Sequence, residues 1–285
     1  MGECNHNCSE CAERQSGKCD GSKSFKVSAN AKSDVRKVVA VMSGKGGVGK
    51  SLVTELLAAG AAQRGLKTAV LDADITGPSI PTAFGVTERV TSDGENMLPC
   101  RTMSGIAVMS LNLLVENPAD PVVWRGPVIA GAVKQFWSDV AWGDVDVMFV
   151  DMPPGTGDVP LTVFQSLPVD GVVIVSSPQK LVEMIVGKSV KMAKMMDKKV
   201  LGLVENMSYF ICPTDETVHY IFGQHGGDRE AVKLGVPMLG KIPLDIRTRQ
   251  GGDEGRPVAL EDTGSNRVAA AFEGVAQTLA CALGE

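Results

Sequence analysis

The run Gly44-Lys45-Gly46-Gly47-Val48-Gly49-Lys50-Ser51 sets a lysine and a hydroxyl directly after closely spaced glycines, and adds a second lysine after the first glycine. The spacing G-x-x-x-x-G-K-[ST] is suited to holding a polyphosphate. Glycines let backbone N–H groups close around phosphate oxygens, and the start of the following helix stabilises negative charge. Lys50 is expected to reach the β- and γ-phosphates of a bound nucleotide and Ser51 to ligand Mg²⁺. All eight residues of the run are candidate nucleotide-binding residues.

Acidic groups follow three apolar runs: Asp72 and Asp74 after Ala69-Val70-Leu71, Asp151 after Val145 to Val150, and Glu205, with Asn206 beside it, after Val200 to Val204. Asp151 precedes Met152-Pro153-Pro154-Gly155-Thr156-Gly157. An aspartate there suits Mg²⁺ coordination, often through a water, and the glycines give a loop able to move with the γ-phosphate. Asp72 and Asp74 lie on alternating faces if the strand continues. One of them is expected to point at the nucleotide, and the other is equally fit to cap a turn.

A second constellation is built from sulfur. Cys4, Cys8, Cys11 and Cys19 give the spacing C-x3-C-x2-C-x7-C, four of the seven cysteines in the chain. An odd total beside a phosphate loop fits a disulfide framework poorly. Four nearby thiolates can wrap a [4Fe–4S] cluster; zinc is the main rival, with His6 as a further candidate ligand, and an unligated tail is the third reading. Cys100 and Cys281 have no neighbours at ligand spacing and are expected to be buried structural thiols.

The elements that must position these groups are legible as alternating patterns. Val38 to Met42, Thr68 to Leu71, Ile106 to Leu111, Val145 to Val150, Gly171 to Val175, Val200 to Val204 and Met238 to Ile242 read as buried strands. Helical patterns cover Leu52 to Gln63, with Leu52, Leu56 and Ala59 on one face, then Val128 to Val140, Leu181 to Met196 and Val268 to Leu283. The alternation predicts an α/β fold: a single doubly wound, mostly parallel sheet with helices on both faces and its site at the carboxyl ends of the strands. Residues 1–34 are polar and cysteine-rich and read as an N-terminal extension; residues 35–285 read as the P-loop domain. In the methionine-rich helix Leu181 to Met196, the apolar side is expected to pack on the sheet, with a dimer or client surface as the alternative.

Bulk properties narrow the partners. The chain has 285 residues, 44% of them hydrophobic, and a net charge of −5, with a mean hydropathy of +0.08 and a pI near 5.4. That balance argues for a well-buried core and against a nucleic-acid-coating surface. No segment approaches the roughly 18 apolar residues that span a bilayer, and the polar start lacks a signal-peptide core. A cytoplasmic protein with no nucleic-acid or membrane partner is expected.

The two-lysine loop, Leu71-Asp72-Ala73-Asp74-Ile75-Thr76-Gly77-Pro78-Ser79-Ile80-Pro81, Trp124-Arg125-Gly126-Pro127 and Asp151 to Asp158 together closely resemble the Mrp/ApbC/Nbp family. These are iron–sulfur cluster carrier ATPases among the MinD/ParA-like proteins with a deviant Walker A loop, and the resemblance runs from about Val35 to the C-terminus. It implies an ATP-binding, slowly hydrolysing carrier that delivers a [4Fe–4S] cluster to apo-proteins. It also implies a homodimer, or a heterodimer with a related chain, with two ATPs at the interface and Lys45 reaching the partner's nucleotide. By the same resemblance Lys45, Lys50 and Asp74 are catalytic, Asp74 orienting the attacking water. Ser51 and Asp151 form the Mg²⁺ shell, and Asn206 and Pro243 belong to the adenine pocket. The N-terminal cysteines are similar to the cluster-binding extension of Nbp-type members, though their spacing differs.

The chain departs from the family at one place. Where members commonly carry C-P-x-C to bridge a labile cluster across the dimer, this sequence reads Cys212-Pro213-Thr214-Asp215. A carboxylate is a harder ligand than a thiolate. The site is then lost, weakened with Asp215 as a ligand, or completed by a partner chain; His219 and His225 are nearby imidazoles that are either ligands or simply solvated. Two other functions fit a P-loop of this kind. A MinD/ParA-type positioning switch needs a basic amphipathic C-terminal helix or a basic DNA face, and Val268 to Glu285 contains no lysine or arginine. An electron donor resembling the nitrogenase iron protein needs a cysteine in the Asp151 to Asp158 loop, which has none.

Overall fold

The computed structural model describes residues 25–75, 77–115, 126–224, 226–256 and 267–283. The chain enters the fold before its first strand. Val27 N donates to Ser166 O at 2.9 Å, and its carbonyl accepts from Trp137 Nε1 at 3.0 Å. Strand β1 (Ser33–Ser43) then leads through the glycine loop into α1 (Lys50–Gln63), β2 (Thr68–Asp72) and the single turn α2 (Ile80–Ala83). Two short strands, β3 (Thr91–Ser92) and β4 (Met97–Leu98), form a separate ribbon before β5 (Cys100–Arg101) and β6 (Ala107–Met109). After a 3-10 turn at Leu111–Leu113 come α3 (Gly126–Ser138), β7 (Gly143–Asp151), α4 (Asp158–Ser166) and β8 (Gly171–Ser176). The chain continues through α5 (Lys180–Met195), β9 (Val200–Glu205), the hairpin strands β10 (Phe210–Ile211) and β11 (Val218–His219), and α6 (Gly226–Leu234). It closes with β12 (Met238–Lys241), α7 (Ile246–Asp253) and α8 (Arg267–Leu283).

The main sheet has the order β12-β9-β8-β1-β7-β2-β6-β5, parallel throughout except where β5 runs against β6. This is the doubly wound architecture expected from the sequence. The inner strands carry continuous apolar runs because both faces are covered: Val38 to Met42 and Val172 to Val175 are all at or below 1% exposure. The crossover from β1 to β2 runs one way along the sheet and those from β7 to β8 and β8 to β9 run the other. Right-handed connections therefore place α1 on one face and α4 and α5 on the opposite one. Where those directions diverge, beside β1 and β7, the strand ends open a crevice.

Three readings of the sequence change. Helix α1 is not merely amphipathic: Val53 through Ala61 are all buried, because the helix packs on the sheet on one side and against α2 and α8 on others. The Ile106 to Leu111 run is strand only over Ala107–Met109; Ser110 turns its buried hydroxyl to Asp72 Oδ2 at 3.0 Å and a 3-10 turn follows. Cys281 is exposed, contrary to expectation, whereas Cys100 is buried. On α8 the buried stripe is Val268, Phe272, Val275 and Leu279, and two residues past Leu279 the helix has turned by about 200° to solvent.

Helix α5 packs on the sheet as expected, but through Val186, Val190 and Ala193; Met192 and Met196 are only partly buried and Met195 is exposed.

Candidate functional site

The glycine loop leaves β1 at the crevice, and two of its glycines are required by their surroundings. Gly49 sits at φ 79°, where side chains are disfavoured, and a Cβ there would collide with the Asn206 amide. A Cβ on Gly44 would run into the Ile185 backbone of α5 at 2.7 Å. The loop is held from outside by Asn206, whose Nδ2 donates to Val48 O at 3.0 Å.

Strand register brings the chemistry together. Asp72 and Asp151 are paired positions at the ends of β2 and β7, and Ala73 N donates to Asp151 O at 2.9 Å. Asp151 is fully buried. Its Oδ2 accepts from Ser51 Oγ at 2.7 Å and faces Lys50 Nζ at 2.7 Å, while Oδ1 accepts from Thr54 Oγ1 at 2.6 Å. Lys50 Nζ also lies 3.7 Å from Asp74 Oδ2. Four of the sequence-derived candidates, Lys50, Ser51, Asp74 and Asp151, thus form one cluster, in which the lysine is neutralised by the aspartates.

Asp72 takes the turn-capping role. Its Oδ1 accepts from Asp74 N at 3.1 Å and its Oδ2 from Ser110. Burial and the nearby Asp151 charge push its carboxyl well above the ordinary carboxylate range. Asp74 is left facing Lys50. Lys45 is exposed at the loop's outer side.

Thr54 and Glu55 were not legible as site residues, although Thr54 lies three positions after Ser51, on the same helix face. That spacing was the available signal. Beyond Ser51 the crevice widens into a cavity of about 520 Å³ whose lining includes Leu52, Glu55, Asn206, Met207, Pro243 and Thr248. The two residues expected to hold the base, Asn206 and Pro243, share one wall space with the end of the phosphate loop.

Cys212 lies apart from this cluster, in the turn between β10 and β11. Its N–H donates to Thr217 O at 2.9 Å and its carbonyl accepts from Glu216 N at 3.0 Å. The thiol and Thr217 both donate to the Asp215 carboxylate, which holds its pKa down at about 2. His219 pairs its ring with Phe210 at 6.5 Å. Among the described residues of one chain, no three His, Cys, Asp or Glu side chains converge to hold a metal ion. Cys4, Cys8, Cys11, Cys19 and His225 lie outside the described residues, as do Thr76, Trp124 and Arg125 of the family-like segments.

A family model described as ParA, NUBPL iron-transfer P-loop NTPase, matches residues 34–280. The chain belongs to that family. It is similar, at 44% identity over 269 residues and 92% of each chain, to an iron-sulfur cluster carrier protein of Methanocaldococcus jannaschii. It is 41% identical over 253 residues to an Arabidopsis thaliana iron-sulfur protein required for NADH dehydrogenase, covering 88% of this chain and 80% of that one. Among solved structures, a nucleotide-binding protein from Archaeoglobus fulgidus in complex with ADP superposes with a TM-score of 0.71 at 42% identity, covering 80% of this chain and 90% of that one. The cell division ATPase MinD of Pyrococcus furiosus shares the fold, with a TM-score of 0.64 at 20% identity over 85% of this chain and 98% of that one. As a NUBPL-type P-loop NTPase the chain is a nucleotide-binding protein, and no described helix is long and apolar enough to cross a membrane.

Proposed function

We propose that the protein is a cytoplasmic, ATP-binding and slowly hydrolysing carrier that holds a [4Fe–4S] cluster and delivers it to apo-proteins. The observation that carries the ATP half is the cluster at the strand ends, where Lys50 Nζ and Ser51 Oγ each lie 2.7 Å from Asp151 Oδ2 and Asp74 stands behind. The donor set fits Mg²⁺–ATP. Ser51 and Asp151 are oxygen donors already side by side, and the lysine that neutralises Asp151 is free to move to phosphate as the metal arrives. Bound Mg²⁺ would neutralise charge developing on the phosphoryl oxygens. In this reading Asp74, 3.7 Å from Lys50, orients water near the terminal phosphate.

The resemblance to proteins named iron-sulfur cluster carriers supports the cargo. In this reading residues 1–34 are a cluster-binding extension with Cys4, Cys8, Cys11 and Cys19 as ligands, whose last residues, from Val27, already join the fold of the ATPase, residues 35–285. The working unit is a dimer of this chain or with a related one, in which exposed Lys45 serves the partner's nucleotide and ties hydrolysis to assembly. Within one chain, Cys212 and Asp215 supply only a partial donor set, so a second cluster there requires ligands from another chain.

The test is anaerobic purification of the full chain with iron, acid-labile sulfide and zinc counted, for the wild type and for a variant with all four N-terminal cysteines changed to serine. Iron with matching sulfide that the substitutions remove, and that an apo-acceptor gains in the wild-type reaction, is the expected result. Zinc without sulfide, or no transfer to any acceptor by ATP-binding protein, would refute the carrier.

A further inference from the structure

The cavity beside the phosphate loop contains two polar atoms that nothing in the described fold satisfies. Glu55 Oε1 and Thr248 Oγ1 are both buried without a hydrogen-bond partner, and both residues line the 520 Å³ space shared with Ser51, Asn206 and Pro243. Glu55 as a whole is 3% exposed. A buried carboxyl with no partner is costly to keep, and an apolar residue would pack the same helix position without that cost. Its position also has direction. Glu55 follows Ser51 by one helical turn on the same face of α1, so the cavity runs from the phosphate end about 6 Å along the helix to the carboxyl.

We infer that Glu55 reads the base of the bound nucleotide, its carboxyl acting as a neutral acid that donates to N1 of adenine and accepts from the N6 amine, with Thr248 supplying a second unpartnered hydroxyl to the cavity lining. This rests on the ATP-binding reading above and names a specificity-determining residue for it. The chemistry is complementary. A carboxylic acid offers one donor and one acceptor, and adenine's edge offers one acceptor and one donor. An ionised carboxylate loses the donor and sets a negative oxygen against the N1 lone pair. It would instead suit guanine, whose N1–H and N2 amine are both donors.

The environment keeps the group neutral. Burial raises the Glu55 carboxyl to about 8. None of the described lining residues is cationic; the other ionisable one, Asp245, is acidic and accepts from Arg247 N at 2.7 Å as the N-cap of α7.

The experiment is calorimetric titration of the full chain with ATP, with purine riboside triphosphate, which lacks the N6 amine, and with GTP, at pH 6.5 and pH 9. Wild type, Glu55→Gln and Glu55→Leu are compared. The wild type should prefer ATP over purine riboside triphosphate by about tenfold, the worth of one buried hydrogen bond to the N6 amine, and on going from pH 6.5 to pH 9 its affinity for both should fall relative to GTP, because the ionised carboxyl no longer donates to N1. Glu55→Gln, whose amide both donates and accepts without titrating, should keep the preference and show no shift toward GTP at pH 9. Glu55→Leu should abolish it while retaining binding that depends on Lys50. The inference is overturned if Glu55→Leu keeps the ATP preference, or weakens both triphosphates equally. If the wild type binds no triphosphate, or Lys50→Ala binds ATP as tightly as wild type, it is the nucleotide reading itself that fails.

Discussion

The Ser51 hydroxyl donates to Asp151 Oδ2 across 2.7 Å, joining the first turn of α1 to the end of β7. Thr54 holds the other carboxylate oxygen at 2.6 Å, one helical turn further on. Asp151 is therefore aimed by two hydroxyls of a single helix face, and under the proposed function Thr54 keeps aiming it when Ser51 turns to Mg²⁺. Thr54→Val keeps the shape and removes the donor. We expect it to destabilise the nucleotide-free chain by about 1–2 kcal/mol and to weaken Mg²⁺-dependent ATP binding several-fold, measured by urea unfolding and by titration with and without Mg²⁺. Unchanged metal dependence would remove Thr54 from the site.

Lys50 is 6% exposed and supplies the positive charge that Asp151 faces. Taking it away leaves a fully buried carboxylate held only by hydroxyls. Lys50→Ala should lose ATP binding by more than about a hundredfold, since a charge-assisted phosphate contact is among the strongest polar interactions. It should also cost the nucleotide-free fold about 2–3 kcal/mol, toward the low end for a broken buried pair because Ser51 and Thr54 remain. Thermal melting without nucleotide would register that loss separately from the binding defect.

Lys45 is exposed and lies outside the Asp151 cluster. Lys45→Ala should therefore leave the melting temperature within about a degree and ATP affinity within a few-fold, while hydrolysis falls. In a mixture with an otherwise inactive Lys50→Ala chain, part of the activity should return if Lys45 acts across an interface. Wild-type hydrolysis by Lys45→Ala alone would show that the second lysine has no catalytic role.

What could be read from the sequence follows what each signal depends on. β1, β7 and β8 were legible because burial on both faces imposes unbroken apolar runs, and the phosphate loop because its spacing is dictated by a ligand. Helices α4, α6 and α7 were not. Pro160 stands in the first turn of α4, α6 begins Gly226-Gly227, and α7 contains Gly251-Gly252. Each is a poor helix former by propensity and is held by packing and by caps such as Asp245. Among the site residues, Glu55 was hidden for the opposite reason: glutamate is an ordinary good helix former, and only its burial makes it informative.

The hairpin turn gives a pH-dependent prediction. The thiol of Cys212 and the N–H and hydroxyl of Thr217 donate to Asp215, lowering its carboxyl from 3.8 to about 2. A depressed carboxylate pKa means that this stabilisation is fully present above about pH 4 and is lost as pH falls toward 2. Carboxyl NMR shifts should titrate Asp215 near 2 in the wild type. Cys212→Ala should move the midpoint up toward 3.8, because the largest contributor is gone; an unmoved midpoint would mean that the thiol does not engage the carboxylate.

The same contact sets up a test of the altered C-P-x-C segment. The backbone of the turn is fixed by Cys212 N to Thr217 O and Glu216 N to Cys212 O, with Glu216 at φ 60°, and these two bonds remain when the Asp215 side chain, which accepts from Thr217 N, is replaced. Asp215→Cys should therefore keep the turn and exchange a hard ligand for a soft one. Anaerobic reconstitution should then raise iron and sulfide by about one [4Fe–4S] cluster per pair of chains over the wild type, together with a shift toward dimer in sedimentation. The increment should persist when the four N-terminal cysteines are serine, which separates the two sites. If the variant gains no iron while its hairpin remains folded by NMR, the geometry of the turn, and not the identity of residue 215, is what withholds the second cluster.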